Sequence, residues 1–457
     1  MTAKMVTGKK VSVLGLARSG YALAELLAGN DSSVFISEMK DGLNLEQQCA
    51  SLKKLGVDCE LGGHTQKILD ADFIAVSPGV PMEIEILDDA RRQGIPIFSE
   101  IEVASWFCSA PVIAISGSNG KTTTTTLLGE ILKAGGVKCF VGGNIGVPFA
   151  SFAAETTPDS YVILEVSSFQ LEGIERFRPK IAAILNFTPD HLDRYATMED
   201  YRMAKARIYE NMGEGDYLIL NLDDPESMKF MPTPDVKVNW FSNRLNDDAH
   251  AYVDNEYLVL ETEKGALPII KARDIGIPGP HNLANSAAAS LAAYLIGVDV
   301  NCIAGALKDF KGVEHRLERV AAINGITFIN DSKGTNVDSV SMALKSIDGK
   351  IVLIAGGKDK GGDFRKLIPQ ITAKVVAVVL IGEASEKIAL QFSDSVPVYR
   401  ADSMHKAVKM ASSLARRDET VLLSPGCASF DMYDNFEHRG KMFKEAVKSL
   451  VQKVEKT

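Results

Sequence analysis

Short apolar runs alternate with helix-like stretches along almost the whole chain. Lys10-Val11-Ser12-Val13-Leu14-Gly15, Ser33-Val34-Phe35-Ile36 and Phe73-Ile74-Ala75-Val76 are continuous and brief, as buried strands are. A helical segment at Tyr21 to Ala28 separates the first two. The rhythm restarts at Pro111-Val112-Ile113-Ala114-Ile115, followed by the helical run Thr126 to Leu132. It restarts again at Ile326 to Asp331, with later runs at Lys350 to Gly357, Val375 to Gly382 and Thr420 to Leu423. This alternation predicts an α/β chain with mainly parallel sheets. The three starts predict three domains, residues 1–109, 110–312 and 313–457. Asp247 to Lys271 breaks the rhythm: Ala251-Tyr252-Val253 and Leu258-Val259-Leu260 alternate like an antiparallel hairpin, predicted as a small side sheet of the middle domain.

Composition narrows the class. A chain of 457 residues, 46% apolar and 24% charged, is an ordinary multi-domain globular protein. A net charge of -9 argues against an extended nucleic-acid footprint, which wants a basic face. The six cysteines are scattered without a C-x-x-C pair, which reads as reduced thiols in a reducing compartment. No apolar run is long enough to span a bilayer, and Val11 to Leu16 reads as a strand, not a signal-peptide core. A soluble, cytoplasmic protein without membrane insertion is expected.

The chemistry concentrates behind strands. Gly117-Ser118-Asn119-Gly120-Lys121-Thr122-Thr123 lies between a strand and a helix, the layout of a phosphate-binding P-loop, although Ile115 stands where a first glycine would fall. Glycines let N–H groups curl around phosphate, the helix N-terminus adds its dipole, Lys121 adds a cation and the Thr122 hydroxyl can ligate Mg²⁺. Glu165 ends the run Tyr161 to Leu164, the natural place for a Mg²⁺ carboxylate in a P-loop domain. His191, after the run Ile181 to Asn186, could ligate a second metal or simply satisfy its loop. Lys205 reads as one more helix-surface lysine. Asn144, Asn282 and Asn285 read as loop or cap positions with amides to offer. In the first domain, Gly15-Leu16-Ala17-Arg18-Ser19-Gly20 has the spacing of a dinucleotide turn, but Ala17 replaces the middle glycine. Glu38 follows the second strand, where a ribose contact would lie, and Ser77-Pro78-Gly79 follows another. The pair of turns reads as a site for a nucleotide-containing ligand. A nicotinamide dehydrogenase would rest on the Gly15 turn alone.

In order and spacing, these stretches resemble the Mur ligase family, ATP-dependent amide-forming enzymes that extend a UDP-linked peptidoglycan precursor. The resemblance rests on Gly117 to Thr123, Glu165-Val-Ser-Ser-Phe-Gln170, Asn186-Phe-Thr-Pro-Asp-His-Leu-Asp193, Tyr201 to Arg207, His281-Asn-Leu-Ala-Asn285, His315-Arg316 and Asp331-Ser-Lys-Gly-Thr-Asn336. Ser424 to Asp431, Asn435 to Gly440 and Gly356 to Asp363 look like the amino-acid pocket of the D-glutamate-adding branch. The resemblance implies Rossmann-like first and last domains around a P-loop ATPase domain. It implies ATP contacts from Gly117, Ser118, Asn119, Gly120, Lys121, Thr122, Thr123, Asn282, Asn285, Arg316 and Asp331. It implies UDP-substrate contacts from Arg18, Ser19, Glu38, Ser77, Gly79 and Asn144, and D-glutamate contacts from Thr335, Lys360, Ser429, Phe430 and Phe436. Two Mg²⁺ sites would draw on Thr122, Glu165, His191 and a carbamylated Lys205, with Lys121, His191, Lys205 and Lys333 at the reacting groups.

The implied reaction phosphorylates the carboxylate of UDP-N-acetylmuramoyl-L-alanine and lets the D-glutamate amine displace phosphate, releasing ADP, in cytoplasmic peptidoglycan precursor synthesis. A monomer that closes its domains over three small substrates is expected. Two alternatives remain open here: a related ligase with another amino acid, and a P-loop ATPase switch whose hydrolysis ignores amino acids.

Overall fold

The computed structural model describes residues 5–144, 146–188, 194–195, 197–230, 232–254, 256–359 and 361–454. Two compact units divide the chain, one comprising Met1–Phe187, Tyr195–Asp274 and Ala284–Asp309, the other Thr188–Arg194, Ile275–Leu283 and Phe310–Thr457. Among the described residues the strands form three sheets.

The first unit holds two of them. β1 (Lys10–Leu14), β2 (Ser33–Glu38), β3 (Asp58–Leu61), β4 (Phe73–Val76) and β5 (Ile97–Ser99) pair in parallel in the order β3-β2-β1-β4-β5. The order reverses between β1 and β4, the crevice where open α/β sheets take ligands, and the Gly15 and Ser77 turns follow those two strands. The second sheet comprises β6 (Val112–Ser116), β7 (Cys139–Gly143), β8 (Tyr161–Glu165), β9 (Ile181–Ile184), β10 (Tyr217–Asn221), β11 (Lys237–Phe241), β12 (Ala251–Asp254), β13 (Tyr257–Thr262) and β14 (Gly265–Lys271). β6 lies between β8 and β9, all parallel, and is buried along its whole length. A strand covered on both faces cannot alternate apolar with polar, which is why it reads as a continuous run. Each buried Val, Ile or Leu there contributes roughly 1.5–3 kcal/mol. The hairpin read from the sequence forms as β12–β13–β14, antiparallel. It joins the parallel sheet through one register pair, Phe241 with Ala251. Pro268 in outermost β14 is tolerated because an edge strand can spare a donor.

Two buried acids from helix Glu100–Ser105 tie these sheets together. The Glu102 carboxylate accepts the backbone N–H groups of Glu175, Arg176 and Phe177 at 3.0, 3.0 and 2.8 Å, and the Trp106 indole N–H at 2.8 Å. Glu100 accepts from the Gln170 side chain at 2.8 Å.

The second unit is built on β15 (Glu318–Ile323), β16 (Ile326–Asn330), β17 (Ile351–Gly356), β18 (Val375–Ile381), β19 (Val398–Arg400) and β20 (Thr420–Leu423), in the order β15-β16-β20-β17-β18-β19. Only β15 runs antiparallel to its neighbour. The adjacent strands β16, β20 and β17 release their chains at one edge, into the segments starting at Asp331, Ser424 and Gly357. All six cysteines are free, and no helix among the described residues is long and apolar enough to cross a membrane.

Candidate active site

The loop after β6 is shaped by its glycines and pinned from β9. Gly117 and Gly120 have φ of 142° and 87°. A Cβ on Gly117 would sit 3.1 Å from Leu185 Cβ, and one on Gly120 would collide with Asn285 Oδ1. Asn186 accepts from Ser118 N through its carbonyl at 2.9 Å and from Asn119 N through its side chain at 2.8 Å. Ile115 pairs with Glu165 and Ala183 inside the sheet, so the glycine loop begins two residues beyond it.

Five candidate residues meet at this loop. The Thr122 hydroxyl donates to Glu165 Oε2 at 2.8 Å, and Asn144 Nδ2 donates to Glu165 Oε1 at 3.1 Å. Lys121 Nζ donates to the carbonyls of Gly117 and Ser118 at 2.7 and 2.9 Å. Lys205 Nζ donates to the Gly117 carbonyl at 3.1 Å and to Ser116 Oγ at 3.5 Å. Lys205 is only 1% exposed, which corrects its reading as a helix-surface lysine. Helix Met198–Ala206, started by a Thr197–Asp200 capping box, turns Tyr201 and Lys205 inward together because residues four apart share a face. The Tyr201 hydroxyl lies 3.2 Å from Ser118 Oγ, and the Lys205 ammonium lies 4.6 Å from the Tyr201 ring centre. His191 lies outside the described residues.

Asn282 and Asn285 lie inside helix Pro280–Leu295 and are not its caps. Both are buried; Asn282 Nδ2 donates to the Pro278 carbonyl at 2.7 Å, and Asn285 abuts Gly120.

At the first crevice, Arg18 and Ser19 open helix Arg18–Ala28. Ser77 Oγ donates to the Gly15 carbonyl at 3.1 Å, joining the two turns that carry Arg18, Ser19, Ser77 and Gly79. Gly20 permits the approach, since a Cβ there would collide with Gly15 O. Glu38, expected at a ribose, accepts the backbone N–H groups of Leu16 and Lys40 at 2.8 and 3.1 Å and so holds the turn.

In the second unit, Asp331 is buried and accepts from Ser424 Oγ at 2.7 Å and from Leu317 N at 3.3 Å. Burial pushes its carboxyl up to about 6, against the pull of Arg316. His281 is driven down to about 4 by burial and by Arg316. Gly426 N donates to the Gly334 carbonyl at 2.8 Å, which brings the Thr335 and Ser429 segments together. Lys333 Nζ stands 5.5 Å from the Phe436 ring centre, and Ser332 Oγ donates to the Phe436 carbonyl at 2.8 Å. Ser429 is buried, whereas Phe430 is 68% exposed. Lys360 lies outside the described residues; its neighbour Lys358 bridges to Ala428.

Arg439 stands within the Asn435 to Gly440 stretch, which assigns it no role of its own. It is fully buried and donates to Ser332 Oγ and O at 3.0 and 2.7 Å and to the carbonyls of Cys427 and Ala428 at 3.1 and 3.2 Å. Its fork stitches the Asp331 segment to the Ser424 segment, and burial lowers it to about 10. Gln170, Glu100 and Tyr201 also went unassigned, although Gln170 and Tyr201 stood within the quoted motifs.

A glycine loop with Thr122, Glu165 and a buried lysine defines a P-loop nucleotide-binding protein, and comparison with known proteins gives its family. Residues 10–86 match the MurD N-terminal domain, 115–293 the Mur ligase middle domain, and 315–427 the Mur ligase, glutamate ligase domain. The chain belongs to the Mur ligase family. It is 44% identical to the UDP-N-acetylmuramoylalanine–D-glutamate ligase of Caldanaerobacter subterraneus subsp. tengcongensis, over 97% of this chain and 98% of that protein. It is 43% identical to the enzyme of that name in Koribacter versatilis, over 99% of this chain and 100% of the other. Among solved structures it shares its fold with the UDP-N-acetylmuramate-alanine ligase of Thermotoga maritima (TM-score 0.62, 19% identity, 96% of this chain and 99% of that one). The MurF ligase of the same organism, in complex with ADP, gives a TM-score of 0.60 at 17% identity, over 98% of this chain and 97% of that one.

Proposed function

We propose that the protein joins D-glutamate to UDP-N-acetylmuramoyl-L-alanine at the expense of ATP, with domains at residues 1–109, 110–312 and 313–457 for the UDP substrate, ATP and the amino acid. The observation that carries this is the meeting of Lys121, Thr122, Glu165 and buried Lys205 at one glycine loop, in a chain similar over its full length to ligases of that name.

A carboxylate is a poor electrophile, so the γ-phosphoryl group passes first to an alanyl carboxylate oxygen and ADP leaves. Lys121 and the loop N–H groups bear the charge of the transferring phosphoryl group. The D-glutamate amine then attacks the acyl carbon, sheds a proton, and phosphate departs with the C–O bond. The buried Thr122 hydroxyl and Glu165 carboxylate form an oxygen donor pair suited to Mg²⁺. Mg²⁺ supplies neutralisation of phosphate charge there. Lys205 and His191 would hold a second Mg²⁺. Lys205 would act there as a carbamate, formed when its neutral amine adds CO₂ and releases a proton. Asn144 orients Glu165 and reaches the UDP substrate, whose nucleotide is held by the turns carrying Arg18, Ser19, Ser77 and Gly79, with Glu38 supporting the first. Asn282, Asn285, Arg316 and Asp331 serve ATP. Lys333 serves the reacting groups, and Thr335, Lys360, Ser429, Phe430 and Phe436 hold D-glutamate.

Phosphate release from purified UDP-N-acetylmuramoyl-L-alanine, ATP and Mg²⁺, with and without D-glutamate, tests this. Release should require D-glutamate. Equal release without it, or with any amino acid, would discard the proposal.

A further inference from the structure

The turn that precedes β15 is strained. His315 and Leu317 have φ of 64° and 43°, left-handed values that crowd a Cβ. Arg316 lies between them, and its N–H closes the turn on the Val313 carbonyl at 3.1 Å. Such a conformation persists only where its surroundings over-determine it.

Here the surroundings are identifiable. Glu318 Oε2 accepts His315 N at 2.9 Å and Asn330 Nδ2 at 3.0 Å, while Glu318 Oε1 accepts Lys444 Nζ at 2.7 Å. Lys444, from helix Phe436–Val454, also donates to Glu314 at 2.7 Å, so one ammonium grips the carboxylates on both sides of the turn. Burial works against that ammonium, but the bonds to Glu314 and Glu318 outweigh it and raise its pKa. The His315 ring is packed beside Gly440 of the same helix, and Asn330 Nδ2 lies 2.9 Å from His315 Nδ1. Glu314, His315 and Glu318 resemble a metal-ligand cluster, with ligand atoms within 4.8 Å of one another. The Lys444 ammonium already supplies the cation.

The held turn sets three candidate groups at once. It carries Arg316. Its His315 carbonyl accepts Lys333 N at 3.0 Å, and its Leu317 N–H reaches Asp331 at 3.3 Å. We infer that Lys444 and Glu318 are positioning residues for ATP: their ion pair holds the strained His315-Arg316-Leu317 turn in the conformation that presents Arg316 and Asp331 to the nucleotide. This rests on the reading of Arg316 and Asp331 as ATP contacts.

The test uses full-length wild type, Lys444→Met, Lys444→Arg and Glu318→Gln, with thermal unfolding to verify folding. ATP binding is measured by calorimetry and KM for each substrate by phosphate release. Lys444→Met and Glu318→Gln should each weaken ATP binding and raise the ATP KM about tenfold, as loss of a charged hydrogen bond does. The KM values for D-glutamate and the UDP substrate should stay within about twofold, and Lys444→Arg should recover most of the loss. Should Lys444→Met unfold, Glu318→Gln, which keeps shape and volume, carries the test. An unchanged ATP KM in a folded variant, or an equal rise in all three KM values, overturns the inference alone. Wild type that binds no ATP overturns the site assignment and the inference with it.

Discussion

The hydroxyl of Thr122 donates to the carboxylate of Glu165 across 2.8 Å, joining the first turn of the P-loop helix to the end of the neighbouring strand. Both side chains are buried, so the pair forms an oxygen-lined spot out of bulk water. Glu165→Gln keeps the shape and removes the charge. Its kcat should fall about 10²–10³-fold, with a raised Mg²⁺ requirement, as for loss of one preorganised electrostatic contact. Steady-state rates across a Mg²⁺ titration check this, and wild-type rates at low Mg²⁺ would refute it.

Lys205→Ala should be nearly inactive, and short carboxylates should restore part of the rate. The wild-type enzyme should lose activity in CO₂-depleted buffer and regain it with bicarbonate. If neither carboxylate nor bicarbonate alters the rate at any concentration, Lys205 works as an ammonium. Lys205→Met, which refills most of the buried volume, separates this loss from the cost of a cavity.

Arg439→Ala leaves three carbonyls short of a donor and opens a cavity in the second unit. Destabilisation of about 3–5 kcal/mol is expected, read by chemical unfolding. Arg439→Lys should recover little of it, since one ammonium cannot reproduce the fork. In whatever folded fraction remains, KM should rise for both D-glutamate and ATP, because the stitched segments carry Ser429 and Asp331.

Glu100 gives a pH dependence of known sign. Burial pushes its carboxyl from 4.5 up to about 7, against the hydrogen bond that Gln170 donates to it. Because the folded pKa is the higher, the acid's contribution to stability is complete below about 4.5 and is lost as pH rises through about 7. Glu100→Gln stays neutral throughout. Measured by unfolding at each pH, the variant should gain on wild type by up to about 3 kcal/mol between pH 4.5 and 8. A constant difference across that window would show that folding does not raise the pKa of Glu100.

Much of this architecture could be read before any tertiary contact was known. The runs that became β4, β6 and β17 were visible because strands buried on both faces are almost continuously apolar. Gly117 and Gly120 marked the loop because positive φ is a local demand. Other features left no local trace. Lys205 shares an inward face with Tyr201 of its own helix, but the Ser116 and Gly117 acceptors that enclose it lie almost ninety positions upstream, beyond the reach of any local pattern. Glu102 looks like any surface acid until three N–H groups from residues 175–177 converge on it. Arg439 looks like a solvated helix arginine until Ser332 and Cys427 enclose it. The single pair Phe241–Ala251 made the predicted hairpin an extension of the main sheet, and no periodicity encodes such a join.

The sequence by itself determined the elements, the three starts of the α/β rhythm and the glycine turn of the Gly117 loop, because period, turn and φ act over a few neighbouring residues. The tertiary structure alone decided which polar side chains are buried and with whom they bond, as for Lys205 on the loop, and which way titration is pushed for Asp331 beside Ser424, Arg439 under its carbonyls and Lys444 across the strained turn. Desolvation and hydrogen bonding are properties of an enclosure, and each of these enclosures is closed by residues far apart along the chain.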